Sequence, residues 1–308
     1  MTNKIVAIQG NHPSKLNPKT DTSVFLAHEI QNKNYKIFYY DPKELSVINS
    51  EVIASGFFIK FDYKDKNFFK ILKKQKLALT KCKFILIRQD PPFNLEYISA
   101  TYILDTIKDK VKILNNPTSI RNISEKLYSV RYQKFMPSTI FTQNISEIKN
   151  FFKTHKKVII KPIHSYGGND IHLLNRFNSK FINQFIKKHD HIMCQKFLPK
   201  INKGDKRVFL INGKVCGAIS RVPKQGSFLS NMSKGAKPIS IELTKTEKKI
   251  SKLIAKDLKK ENIFFAGIDF IDQKLNGDIN VTSPTGLKTL NDLSGINLAK
   301  IFWKELKA

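Results

Sequence analysis

The chain has 308 residues, 41% of them hydrophobic and 11% aromatic, with 23 Phe but only 13 Gly and 12 Pro. That is enough apolar area for a large core spread over two or three domains, and it excludes a peptide, a coiled rod, a disulfide knot and a disordered chain. The net charge of +29 comes from 54 basic and 25 acidic residues, but only six of the 54 are arginine. Proteins that read bases concentrate arginine forks, so scattered lysine alone does not point to nucleic acid.

Cys82, Cys194 and Cys216 are odd in number, widely spaced and set among apolar neighbours, which suits reduced packing thiols better than a disulfide or zinc framework. MTNKIVAIQGNHP carries no apolar run of signal-peptide length, and no window approaches the ~18 uninterrupted apolar residues of a membrane span. The expectation is a cytoplasmic protein with no membrane partner.

In chain order, Ile5 to Ile8 reads as a strand and Asp21 to Gln31 as a helix with Val24, Ala27 and Ile30 inward. Lys36 to Tyr40, Phe84 to Arg88 and Val111 to Leu114 read as further strands, with a helix marked by Tyr97, Thr101 and Leu104. Strands separated by helices predict an α/β domain with an open, mostly parallel sheet. Asn115-Asn116-Pro117 turns the chain away, and a helix containing Glu125-Lys126-Leu127 follows, which puts a boundary near residue 122.

From Ser138 the pattern is strand, helix, strand, glycine loop, strand, helix, strand, with Asn144 and Glu147 placed for a capping box. Beyond residue 199 the signal is antiparallel. Arg207 to Ile211 and Val215 to Val222 flank Asn212-Gly213, a dipeptide that favours a type I′ hairpin. A loop over 224–237 joins this hairpin to a helix over 244–260 striped by Ile250, Leu253, Ile254 and Leu258. Phe264 to Ile271 and Asp278 to Ser283 then pair across Leu275-Asn276-Gly277. The expected domains are therefore 1–122, 123–199 and 200–308, the last two α+β in character. No internal repeat or low-complexity tract is present.

Four groups of residues carry chemistry. Asp278 and Asn280 alternate with Ile279 and Val281, and Asp269 lies on the partner strand. Two carboxylates and an amide without His or Cys suit Mg²⁺, which completes its shell with water and phosphate oxygens. Lys161 ends an apolar strand just before Tyr166-Gly167-Gly168, where a lysine reaches phosphate and glycine lets main-chain N–H groups approach it. Arg207 and Arg221 sit on the two strands of the Asn212-Gly213 hairpin, a pair able to hold a carboxylate or a phosphoryl group in transfer. Arg88 closes a buried strand at Gln89-Asp90-Pro91-Pro92-Phe93, and ligands of open sheets bind at carboxyl ends of strands, so it is placed for an anionic substrate.

Taken together, these segments resemble the bacterial glutathione synthetases, members of the ATP-grasp ligases. The resemblance runs in order through Arg88-Gln89-Asp90-Pro91-Pro92-Phe93, Ala100-Thr101-Tyr102-Ile103-Leu104, Asn116-Pro117, Glu125-Lys126-Leu127, Lys161-Pro162, Gly167-Gly168 and Gly204-Asp205-Lys206-Arg207. It continues through Arg221-Val222-Pro223, Gly267-Ile268-Asp269 and Asn280-Val281-Thr282-Ser283-Pro284-Thr285.

The resemblance implies an N-terminal substrate domain followed by a two-part ATP-grasp fold with ATP between the last two domains. It implies that Lys126, Lys161, Gly167, Gly168 and Asp205 bind ATP, the two lysines at its phosphates, and that Gln195, Lys196, Phe197 and Leu198 form the adenine hinge. Asp269, Asp278 and Asn280 would be the metal ligands, for two Mg²⁺ ions that Mn²⁺ replaces. Arg207 and Arg221 would be catalytic, and Arg88, Asn280, Ser283, Pro284 and Thr285 would contact substrate. The reaction implied joins γ-glutamylcysteine to glycine through an acyl phosphate, in a homotetramer, with no protein nucleophile.

Three positions depart from the family pattern. Asp278 stands for glutamate, His164-Ser165 for Asp-Gly, and Leu229-Ser230-Asn231 for Arg-Gly-Asn in the loop 224–237, which reads as a lid. A related ligase using a different amino-acid acceptor therefore stays open, as does a basic nucleic-acid-binding protein. The latter would bind with a steep salt dependence and turn over no ATP.

Overall fold

The computed structural model describes residues 4–308. Its first sheet contains β1 (Ile5–Gln9), β2 (Lys36–Tyr40), β3 (Leu45–Ile48), β4 (Glu51–Phe61), β5 (Phe69–Ala78), β6 (Phe84–Ile87) and β7 (Lys112–Leu114). The expected parallel tract is β2-β1-β6-β7. β1 lies between two neighbours with both faces covered, and Val6, Ala7 and Ile8 are fully buried, which is why it reads as an unbroken apolar run.

An antiparallel flank of β3, β4 and β5 extends the sheet over residues 45–78, where the sequence pattern assigned nothing. β5 carries exposed Lys70, Lys73, Lys74 and Lys76 along its length, and charge of that kind conceals a strand from a hydrophobicity reading.

Helices α1 (Thr22–Gln31) and α2 (Leu95–Asp105) connect β1 to β2 and β6 to β7, and α3 (Pro117–Asn122) leads out of the sheet after β7. Asp21 is the N-cap of α1, its Oδ1 accepting from Val24 N at 2.9 Å. The expected helix at residues 125–127 is not formed. Glu125 and Lys126 occupy a turn that leads into 3₁₀ turns over Leu127–Phe135, because Glu125 O accepts from Ile279 N at 2.9 Å instead of continuing a helix.

The second sheet has the order β10-β9-β11-β8, from β8 (Thr139–Thr142), β9 (Val158–Pro162), β10 (His172–Leu174) and β11 (Ile192–Lys196), all antiparallel. α4 (Ile145–His155) and α5 (Ser179–His189) pack on it through Ile148, Phe151, Ile182 and Phe185. Asn144 caps α4 through Ser146 N alone, so the expected capping box is only half made. The reciprocal box is formed by Thr244 and Glu247 instead.

The third sheet has the order β14-β13-β12-β15-β16, from β12 (Asp205–Ile211), β13 (Lys214–Val222), β14 (Lys237–Ser240), β15 (Phe265–Ile271) and β16 (Lys274–Asn280). Asn212 and Gly213, at φ 48° and 77°, make the expected hairpin. The last hairpin turns at Asp272-Gln273 rather than at Leu275-Asn276-Gly277, and the loop after β13 reaches a strand, β14, before helix α6 (Lys245–Lys260).

The closing helices α7 (Leu287–Ser294) and α8 (Leu298–Glu305) return to the N-terminal sheet, where Trp303 is fully buried and its Nε1 donates to Leu26 O at 2.9 Å. One apolar cluster therefore runs from Val6, Ile8 and Leu26 through to Phe209, Phe302 and Trp303. Among the described residues, no helix is long and apolar enough to cross a membrane.

Candidate active site

A cleft with about 850 Å³ of empty space opens between the second and third sheets. Every residue expected to serve nucleotide, metal or catalysis lines it. β9 delivers Ile159 and Lys161 by strand alternation, and the end of β11 delivers Gln195 and the segment to Leu198. The face of the third sheet opposite α6 delivers Asp205, Arg207, Arg221, Asp269, Asp278 and Asn280.

The charges on that sheet form a chain. Asp205 lies opposite Arg221 across β12 and β13, and Arg207 lies opposite Asp269 across β12 and β15. Arg207 Nε and Nη2 donate to Asp269 at 2.8 and 2.7 Å, Arg221 Nε donates to Asp205 at 2.7 Å, and Arg221 Nη2 reaches Asp269 at 3.0 Å. Burial works to raise the Asp269 carboxyl, but Arg207 and Arg221 together outweigh it and hold the group well below the usual carboxylate range. Asp205 shares its arginine with Asp269, and there burial prevails and the carboxyl is raised.

Lys126 and Lys161 are only 4% and 3% exposed, which rules out a reading as surface lysines. Lys126 Nζ donates to Ser165 O at 2.7 Å, so the glycine loop is tied to the turn that carries this lysine. Lys161 Nζ donates to Asn276 O, Asn276 Oδ1 and Asp278 Oδ2 at 3.2, 3.2 and 3.3 Å. Lys126 lies 3.7 Å from Asp278. Burial raises the Asp278 carboxyl, and the two lysines more than reverse that shift, leaving it below its ordinary value.

Among the described residues no three His, Cys, Asp or Glu side chains cluster as a metal cage. Asp269, Asp278 and Asn280 nevertheless present hard oxygens to one cleft, and Asn280 Nδ2 donates to Gly267 O, while its Oδ1 has no partner among the described residues. Two carboxylates and one amide oxygen fit a small divalent cation that takes its other ligands from phosphate and water.

In all, five cations (Lys126, Lys161, Lys196, Arg207 and Arg221) and four carboxylates (Glu125, Asp205, Asp269 and Asp278) line the cleft, which leaves it one positive charge to spare for a polyanion.

A wider space of about 1790 Å³ adjoins the cleft and shares Glu125, Gly167, Arg207, Arg221 and Asn280 with it. Ser283 and Thr285 line this second space, as expected of substrate-facing residues. Arg88 and Pro284 line neither. Arg88 Nε donates to Ser23 Oγ at 3.1 Å and Nη2 to Pro284 O at 3.0 Å, so a buried arginine that the sequence places at a ligand is spent on bracing the segment that carries Ser283 and Thr285.

Sequence reasoning missed the N-terminal wall of this space, formed by Lys15, Asn17, Asp21 and Asp90. It also missed the work of Glu125, whose Oε1 accepts from Val281 N, Thr282 N and Thr282 Oγ1 at 2.9, 3.1 and 2.9 Å. No local signal marks this role of Glu125, because it acts on a segment 156 and 157 residues away.

The loop after β13 is closed over the cleft. Phe228, Leu229, Ser230 and Asn231 line the cleft, a Cβ on Gly168 would collide with the Asn231 side chain, and Lys234 Nζ donates to Asn169 Oδ1 at 2.9 Å.

The family model of the prokaryotic glutathione synthetase N-terminal domain matches residues 5–121, and that of the ATP-grasp domain of the same enzymes matches residues 125–295. The glutathione synthetase of Bradyrhizobium diazoefficiens is 33% identical over 306 residues, covering 98% of this chain and 97% of that protein. The glutathione synthetase of Buchnera aphidicola subsp. Baizongia pistaciae is 34% identical over 301 residues, covering 96% and 93%. Among solved structures, D-cycloserine synthetase DcsG matches with a TM-score of 0.66 at 9% identity, covering 98% of this chain and 99% of that one. The ATP-grasp ligase PsnB in complex with a minimal precursor matches with a TM-score of 0.65 at 13% identity, covering 99% and 98%. At such identities the structural matches speak to fold, and they agree with the two sequence matches that together span nearly the whole chain. The chain belongs to the prokaryotic glutathione synthetase family of ATP-grasp ligases.

Proposed function

We propose that the chain uses ATP to join the cysteinyl carboxylate of γ-glutamylcysteine to the amine of glycine, with nucleotide in the cleft and peptide in the wider space. The observation that carries this reading is the junction of the two spaces at Arg207, Arg221 and Asn280. A group transferred from one space to the other passes between two guanidinium groups that β12 and β13 hold rigidly.

Gln195 to Leu198 meet the adenine, and Ile159, Ile171 and Ile271 give it apolar walls. Lys126, Lys161 and the main-chain N–H groups of Gly167 and Gly168 face the phosphates. Asp269, Asp278 and Asn280 would hold magnesium, which when bound would supply charge neutralisation for the phosphoryl group in transfer. Arg207 and Arg221 hold the peptide carboxylate beside the γ-phosphorus and stabilise the charge that builds there. The amine of glycine then displaces phosphate from the activated carboxyl.

No side-chain nucleophile is required, and the thiols do not offer one. Burial pushes Cys82 and Cys194 up to about 12, and no cysteine lines the cleft. The closed lid keeps water from the activated carboxyl.

A second reading, a ligase of the same chemistry with another amino-acid acceptor, is favoured by Leu229 and Ser230, which bring no charge to the cleft at the lid tip. Measuring ADP release with each substrate omitted, and then across a panel of amino acids, separates the two. The expected result is ADP only when γ-glutamylcysteine and glycine are both present, one per glutathione formed. A different amino acid giving the faster turnover would establish the second reading.

A further inference from the structure

The pairing of β15 with β16 is interrupted at the site itself. Gly267 and Ile268 lie opposite Asn280 and Ile279, whereas Phe270 and Ile271 lie opposite Leu275 and Lys274. Three residues of β16, Asn276, Gly277 and Asp278, therefore face Asp269 alone, a bulge of two extra residues. An even number of extra residues preserves the alternation of faces, so Asn276 stays on the cleft side with Asp278 and Asn280. Gly277 makes the bulge possible. Its φ is +84°, and a Cβ there would meet Met193 Cε at 2.5 Å and Met136 Cε at 2.9 Å.

The bulge gives Lys161 a socket. An ammonium has three donors, and all three are matched, two by the main-chain and side-chain oxygens of Asn276 and one by Asp278. Asn276 Nδ2 also donates to Asp278 Oδ2 at 3.3 Å. A lysine that turns to a phosphate must give up one of these acceptors. Asp278 is the one with a second task, while the two Asn276 oxygens are neutral, close together and held by the strand.

We propose that Asn276 is a positioning residue for the nucleotide, holding the Lys161 ammonium in place by two neutral acceptors once Asp278 has left it, so that the third donor points at phosphate. This rests on the reading that Lys161 serves the phosphates.

The test is a double-mutant cycle of Asn276→Ala and Lys161→Met, read as affinity for ATP with Mg²⁺ by calorimetry without γ-glutamylcysteine, so that turnover does not enter the measurement. Asn276→Ala should weaken ATP binding roughly three- to tenfold in the wild-type background, as loss of one hydrogen bond predicts. In the Lys161→Met background it should change affinity by less than about twofold. Asn276→Ser, which keeps a polar bulge, replaces the alanine variant if thermal unfolding shows that variant to be unfolded.

An equal loss in both backgrounds would show that Asn276 acts on the site in some way other than through Lys161. Unchanged affinity on Asn276→Ala alone would remove the role altogether. Unchanged affinity for Lys161→Met would instead overturn the phosphate reading of that lysine, and this inference with it.

Discussion

Asp278 answers to two lysines and, in the function proposed, to a metal, and its side chain is one methylene shorter than the glutamate its position resembles. Removing the charge while keeping the shape should expose both dependences. Asp278→Glu is expected to retain substantial ligation, whereas Asp278→Asn should lose tenfold to more than a hundredfold, even at raised Mg²⁺, since a charge-assisted contact is worth ~1.5–3 kcal/mol. Ligation rates across a Mg²⁺ titration check this, and equal activity of the asparagine variant would remove the metal assignment.

The same carboxylates govern acid stability. Asp269 and Asp278 are both held below the ordinary value of 3.8, so the unfolded chain takes up these protons first as the pH falls. Their contribution is complete above that value and is lost as the pH drops through their folded values. Asp205 is raised and acts with the opposite sign, favouring the folded state most at low pH. Denaturant midpoints measured from pH 6 downward should decline below about pH 4, and Asp278→Asn should make that decline shallower.

At the level of elements, the loop from Lys224 to Lys237 is a cover whose tip rests on the glycine loop through Asn231 and Lys234. It leaves β13 and returns as β14, so both ends are anchored in one sheet while Phe228 and Leu229 lie half-buried over the cleft. Shortening the loop should leave ATP affinity within about twofold while reducing ligation and raising ADP formed per glutathione above one, as water reaches the activated carboxyl. A trimmed loop with wild-type rate and a ratio of one would show that it does not gate the chemistry.

Across the whole molecule, the active site depends on the N-terminal sheet staying attached to the third sheet. Asn115 provides a polar fastening. Its Oδ1 accepts from Phe264 N and Phe265 N, both at 2.9 Å, and its Nδ2 donates to Phe265 O at 2.8 Å and Val281 O at 2.6 Å. Asn115→Ala removes four hydrogen bonds from a buried place and should destabilise the fold by about 3 kcal/mol or more, read as a lowered denaturant midpoint with an unchanged slope. A midpoint within the error of wild type would show that the apolar cluster shared by α1 and α8 carries the attachment alone.

What sequence by itself determined here is what depends on neighbours in the chain. Asn212-Gly213 closes a hairpin because both residues accept positive φ, α6 follows from one apolar stripe, and Lys161 before Gly167-Gly168 marks a candidate phosphate site. The nucleotide candidates from Lys126 to Asn280 were legible because their residue types matched a family pattern, and the fold brings all of them to one cleft.

Tertiary structure decided the rest. Asn276-Gly277 has the same local chemistry as Asn212-Gly213, yet it forms a bulge rather than a turn, because Asp272 and Gln273 turn the chain first and Asp269 faces the extra residues from the partner strand. Arg88 sits at a strand end where a ligand is expected, and its partners are Ser23 and Pro284, 65 and 196 residues away. Lys126 would extend a helix but for Ile279, Val281 and Thr282, which take Glu125 into their own hydrogen bonds. A hydrogen bond between distant segments is worth as much as one between neighbours, but nothing in local periodicity encodes which segments will meet.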